Sequence, residues 1–288
     1  MRMLVPIALL ASLSLAQQAP PPAVHSPDPI NAASKWAAAF DETLSGLLFR
    51  ERYRQTADVG YTAGHPLGST GTELTLEASV FLLQVPGRDR FVVYRDVYSA
   101  GGRRVTDHTE RLQKLLTSQT TGTHAQAQRL TDASARYNLG AINRNVNTPT
   151  MAFEFLTSAN LRRLTVREEG RETIDGLDLI VVAFDETARP TLVRGDNGAD
   201  VPASGRYWID PITGAVPRAV VEFTSPGFSG RLEVRLARHP QLKTWVPVEL
   251  SERWASPTSN ASGIARYDRF QRLSVSTDEI VKTDETAR

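Results

Sequence analysis

Five histidines, at 25, 65, 108, 124 and 239, are the residues of this 288-residue chain with the widest catalytic and metal-binding range. None has a histidine partner four positions away, and no HExxH pattern occurs. His25 lies in a proline-rich stretch, His108 and His124 stand at helix starts, and His239 precedes Pro240 in a turn, so they read as solvated or capping residues. No GxSxG or SxxK nucleophile motif occurs, and Gly68-Ser69-Thr70-Gly71 reads as loop punctuation. The absence of cysteine excludes thiol catalysis. Asp196-Asn197-Gly198-Ala199-Asp200 alternates oxygen donors around a glycine, as calcium loops do, but lacks the closing bidentate glutamate. Glu168-Glu169 and Asp185-Glu186 are neighbours in strands, where adjacent side chains face opposite sides and cannot share a proton. All four read as solvated. The expectation is no catalytic residue, no metal ligand and no cofactor.

The elements that would position any site begin with an export signal. Arg2 is a short basic region, Leu4 to Leu15 is apolar, and Ser14-Leu15-Ala16 offers small residues for cleavage, so residues 1–16 read as a signal peptide. The apolar run is too short for a permanent membrane anchor. Residues 17–30 form a proline-rich leader. Without cysteine there is no lipobox and no disulfide, so the expectation is a periplasmic or secreted chain whose fold rests on its core. Cleavage removes Arg2 and leaves 32 basic against 32 acidic residues, which argues against nucleic acid as a partner. No other segment is long and apolar enough to cross a membrane as a helix.

From Asn31 to about Tyr53, Trp36, Phe40, Leu44, Leu47 and Leu48 recur at helical spacing. ELTLEASVFLLQV then alternates as a strand. In the next strand, RFVVYRDVYSAGG, Arg95 and Asp96 point to opposite faces, which places one of them at a rim or in the interior. Residues of about 106–158 read as a helical insertion. LRRLTVREEGRETIDGLDLIVVAFDET resumes the strands, and Gly205 to Trp254 reads as four consecutive antiparallel strands with a turn at Asp210-Pro211-Ile212-Thr213-Gly214. Trp208 shares a face with Arg206, opposite Tyr207 and Ile209, so both faces of the sheet are expected to be covered. The fold class is α+β: a strongly curved antiparallel sheet, an incomplete barrel of about nine or ten strands, with the N-terminal helix and the insertion on its concave side. Residues 31–275 read as one domain and 276–288 as a flexible tail.

The Tyr207-Trp208-Ile209-Asp210-Pro211-Ile212-Thr213-Gly214 hairpin and the Trp245-Val246-Pro247-Val248-Glu249 strand resemble the bacterial lipoprotein-localisation factors LolA and LolB and their wider superfamily. FVVYRDVYSAGGRRVTDHTERLQKLL and ARYNLGAINRNVNTPTMAFEFL also look like exported proteins of soil bacteria. The resemblance covers most of residues 31–275. It implies an unclosed barrel with a helical lid over an apolar cavity, which in that family holds lipoprotein acyl chains.

On this footing the chain reads as a non-catalytic binding protein for an apolar or lipid-like ligand, a lipid or lipoprotein carrier being one form of it. The expected cavity lining is Leu76, Val80, Val93, Val221, Phe223, Val234 and Val248, the inward residues of the alternating strands. A monomer is expected, with an envelope protein as a further partner. Two alternatives stay open: a structural or interaction module whose concave side is filled by its own helices, and an exported hydrolase. A contiguous apolar cavity would favour binding, and tight helix-to-sheet packing the module.

Overall fold

A computed structural model of the protein describes residues 28–59, 61–62, 65–66, 71–84, 91–110, 123–140, 144, 146–195 and 198–272. The signal, most of the leader and the tail expected from the sequence lie outside these residues. Asp28 opens helix α1 (Pro29–Ser45) by accepting the Ile30 amide at 3.3 Å, with proline at the start of the first turn. Ile30, Ala33, Ala37, Phe40 and Leu44 form its buried stripe.

The helix ends well short of the expected Tyr53. Gly46 closes it, and the chain enters strand β1 (Leu47–Val59). Leu47 and Leu48 satisfy helical spacing, but Phe49 to Arg54 also alternate. Antiparallel pairing on both sides, with β4 (Thr72–Gln84) and β13 (Ser259–Arg272), decides in favour of the strand. A short ribbon, β2 (Tyr61–Thr62) with β3 (His65–Pro66), precedes β4. Then come β5 (Phe91–Ala100), β6 (Arg103–Arg104), α2 (Thr123–Ala135), a 3-10 helix (Met151–Leu156) and the single turn α3 (Ser158–Leu161). The remaining strands are β7 (Leu164–Ile174), β8 (Leu177–Glu186), β9 (Ala203–Ile209), β10 (Arg218–Ser225), β11 (Phe228–Arg238) and β12 (Trp245–Ser256).

Eleven strands form one antiparallel sheet in the order β6-β5-β4-β1-β13-β12-β11-β10-β9-β8-β7, whose ends do not meet. This is the unclosed α+β sheet expected, with β1 as the central strand that the helical reading had absorbed. Its inner face carries the main apolar cluster. There α1 and the 3-10 helix lie against the strands, with Ala152, Phe153, Phe155 and Leu156 fully buried. Trp36, Phe40 and Phe153 form an aromatic knot, with Trp36 stacked on Phe40 at 4.9 Å.

The helical insertion divides between the two faces. Leu130 of α2 packs on Val92 and Tyr94 of β5, on the side opposite Val93 and Val97. Ser134 of the same helix accepts the Arg95 amide at 3.0 Å and donates to the Val93 carbonyl at 3.4 Å, so α2 satisfies backbone groups that β5 would otherwise leave open. On the outer face Leu179, Val181, Trp208 and Val220 make a small second cluster. Arg218 lies over the Trp208 ring at 4.2 Å, while Tyr207 turns inward and donates to the Ala152 carbonyl at 2.8 Å.

Candidate functional site

The inner face is not uniformly apolar. Period-two alternation in β1 sends Phe49, Glu51, Tyr53, Gln55 and Ala57 inward and the arginines at 50, 52 and 54 outward. From β5 the same geometry brings in Arg95, from β12 Glu252 and Trp254, and from β13 Tyr267. Strand pairing sets Glu252 beside Gly263, and Gly263 beside Gln55, in one cross-sheet row. Glycine is required there, because a Cβ at 263 would stand 2.4 Å from the Tyr53 ring.

Into this row the segment after α2 inserts Arg144, the largest fully buried side chain among the described residues. Its Nη1 pairs with Glu252 and donates to Tyr53 Oη at 2.8 Å, and its Nη2 donates to Gln55 Oε1 and to the Leu139 carbonyl, each at 2.7 Å. Gln55 also holds the segment directly, donating to the Tyr137 carbonyl and accepting the Leu139 amide, both at 2.8 Å. Trp254 Nε1 takes the other Glu252 oxygen at 2.9 Å. Beside this, Arg95 and Glu51 form a second buried pair, and Arg95 Nη2 reaches the Asn147 carbonyl at 3.1 Å. The Arg95 guanidinium stands 5.1 Å from the Tyr53 ring centre.

Electrically the site is closed: two arginines meet two carboxylates. Burial disfavours charge on Arg95, but the Glu51 carboxylate outweighs it and raises the guanidinium above its ordinary value. Burial first, and then the negative Glu252, push the Tyr53 phenol well above its ordinary range, so its proton is firmly held. The arrangement can do something mechanical: it ties Tyr137, Leu139, Arg144 and Asn147 to the inner wall through bonds of fixed geometry, with water kept out.

Elsewhere a cleft of about 720 Å³ lies between α1 and the 3-10 and α3 turns, lined by Ser34, Lys35, Ala38, Glu42, Thr157 and Asn160 among others. It reaches Ala37 and Phe91, which belong to or pack on the apolar cluster of the inner face.

Of the seven residues expected to line a cavity, Leu76, Val80, Val93, Val221, Phe223 and Val234 are buried in the inner cluster, under α1 and the 3-10 helix. Val248 is half-buried and outside that cluster. Arg235 pairs with Glu249 and Leu236 with Pro247, so Val248 is the extra residue of a β-bulge, and strict alternation across Trp245–Leu250 fails there. Other readings change as well. Glu186 is not solvated: its side chain is buried, pairs with Arg163 at 3.3 Å and accepts the Leu192 amide at 2.7 Å, pinning the excursion that follows β8. Glu169 pairs with Arg206 and Arg167. His108 is half-buried, and its Nδ1 lies 2.8 Å from Asp96 Oδ2. Asp200 is engaged by Thr191 and by two arginines, while residues 196–197 of the calcium-like loop lie outside the described residues, as does the side chain of His124.

Sequence reasoning placed one of Arg95 and Asp96 at a rim or in the interior and did not find the rest of the network. Glu51 and Tyr53 were hidden by the helical reading of residues 31–53, and Gln55 stands just beyond its end. The signal that could have found them is the inward parity they share with Phe49 and Ala57.

No protein-family model and no curated protein sequence matches the chain. Among solved structures, the chain is similar to a putative outer-membrane lipoprotein-sorting protein domain from Vibrio parahaemolyticus, at 12% identity and a TM-score of 0.40 over 86% of this chain and 94% of that one. A DUF1329 family protein from Desulfovibrio piger gives 11% identity and a TM-score of 0.38 over 87% and 96%. The lipoprotein LppX from Mycobacterium tuberculosis gives 12% and 0.26 over 88% and 100%. At such identities and scores these neighbours carry no argument about what the chain binds. The fold itself, an open antiparallel sheet with helices on its inner face, is the one that the hairpin's resemblance to the lipoprotein-localisation factors implies.

Proposed function

We propose that the protein is an exported, non-catalytic binding protein that takes an apolar or lipid-like ligand on the inner face of its half-barrel. The observation that carries this reading is the cleft between α1 and the 3-10 and α3 turns, which reaches the inner apolar cluster at Ala37 and Phe91. Its volume lies within the ordinary range for small-ligand sites. A ligand chain entering there would part the 3-10 helix from β10 and β11, which carry Val221, Phe223 and Val234, and α1 from β4, which carries Leu76 and Val80, exchanging one set of apolar contacts for another. The Arg144–Glu252 latch keeps the neighbouring segment fixed while the helices part.

The test is lipid extraction and native mass spectrometry of the purified protein, together with titration by a hydrophobic fluorescent dye. Saturable uptake, reduced when Ala38→Trp fills the cleft, supports the reading. Bare protein with no dye uptake overturns it. That result would favour a structural or interaction module, the reading supported by the complete burial of Phe153, Phe155 and Leu156 against the sheet.

A further inference from the structure

We infer that a groove on the outer face of the sheet is a binding site for an oxyanion: a phosphate or carboxylate group carried on a hydroxylated molecule. The groove has a volume of about 600 Å³, and its floor is one cross-sheet row of directly opposed residues. The pairing runs Glu222 to Arg231, Arg231 to Arg253, Arg253 to Ser262, and Ser262 to Thr56. Directly opposed residues share a face, so two arginines stand side by side in the middle of this row.

The first of them is compensated. Arg231 pairs with Glu222 and, at 3.3 Å, with Glu233. Arg253 makes no ion pair among the described residues, whereas Arg52, Arg54 and Arg266 pair with Glu77, Glu73 and Glu249. Like charges placed opposite each other across a sheet are destabilising. Arginines oppose each other elsewhere on this sheet, at Arg52–Arg266 and Arg218–Arg235, and Arg235 likewise makes no ion pair among the described residues, but Arg235 lies outside the groove and Arg253 within it.

The surroundings suit the same ligand. Thr224, Ser229, Asn260, Ser262 and Thr56 put small hydrogen-bonding side chains around Arg253, with Thr56 and Ser262 joined at 2.8 Å. An arginine fork takes two oxygens of a phosphate or carboxylate, and hydroxyl and amide groups take the hydroxyls beside it.

Two sources could supply such a group, a soluble polyol phosphate or a membrane headgroup. Glycerol 1-phosphate is therefore titrated at constant ionic strength, and phosphatidylglycerol vesicles are tested against phosphatidylcholine vesicles by co-sedimentation. The expected result is saturable binding weakened at least about tenfold in Arg253→Gln, the loss of one charge-assisted fork. Arg235→Gln, on the same strand face outside the groove, should leave it unchanged. Binding of the soluble phosphate supports a soluble source. Binding only to phosphatidylglycerol vesicles, abolished in Arg253→Gln, supports a membrane source. No saturable binding of either probe, or equal loss in the two variants, overturns the proposal.

Discussion

Arg144 takes a full charge to a place where none of its surface is exposed, and each bond it makes there has to replace water. Desolvating such a pair costs about as much as the pair returns, so the latch adds little net stability, but breaking it leaves an uncompensated charge. Arg144→Met is expected to lower unfolding stability by about 3–5 kcal/mol, measured by urea denaturation. Combining it with Glu252→Leu should cost clearly less than the two single changes added together. A second expectation concerns alkali. Burial is the main reason that the phenols of Tyr53, Tyr207 and Tyr267 are held above their ordinary value. A raised native value stabilises the fold fully below the unfolded value of about 10, and the contribution is lost as pH rises from there toward the native values. Tyrosinate absorbance and loss of circular dichroism should therefore rise together above about pH 10, with Tyr53→Phe removing part of the effect. In the sequence Arg144 is one polar residue of a loop. Its partners Tyr53 and Glu252 lie far away in both directions, and no local period links them. Glu51, Tyr53 and Gln55 had a period, but a polar residue on an inward position resembles noise until its partner is known.

Elements were legible where local chemistry and long-range packing agree. The hairpin before β10 was read from Asp210, Pro211, Thr213 and Gly214, and these residues act as read: Asp210 Oδ1 accepts the Ile212 amide at 2.8 Å, and its carbonyl accepts the Gly214 amide at 2.9 Å. Gly214 has φ +72°, and a Cβ there would stand 2.6 Å from the Ala32 carbonyl oxygen. The hairpin tip thus abuts the first turn of α1, a contact no turn rule contains. Gly214→Ala is expected to cost about 1–3 kcal/mol, and hydrogen exchange should quicken first in the amides at the start of α1. The boundary between α1 and β1 was less legible because Leu47 fits both the helical spacing from Leu44 and the strand alternation with Phe49. Partners on either side decided it, and both are distant in sequence. The bulge at Val248 is another such case, since register belongs to a strand pair and not to a strand.

For the whole molecule, the decisive pairing is β1 with β13, which joins the first strand of the sheet to the last. The outward pair Arg50–Asp268 crosses this seam at 2.5 Å, and its hydrogen bond is the main reason that the Asp268 carboxyl lies below its ordinary value. A lowered native value stabilises the fold above the unfolded value of about 3.9 and is lost as pH falls through the native one. Acid unfolding below about pH 4 should therefore begin earlier in Asp268→Asn than in the parent chain, as followed by intrinsic tryptophan fluorescence. A chain ending at residue 258 would lack the strand lying between β1 and β12. It should give no protease-resistant core, because the inner apolar cluster would be split between two open half-sheets. That seam also sets a clock. A chain that leaves the ribosome, or crosses a membrane, from its N-terminus has the partner of its first strand only when almost all of it has emerged. Until then β1 has one neighbour at most, Tyr53 and Gln55 are open to water, and the molecule is a thread rather than a container. Delay of this kind would suit the export proposed above.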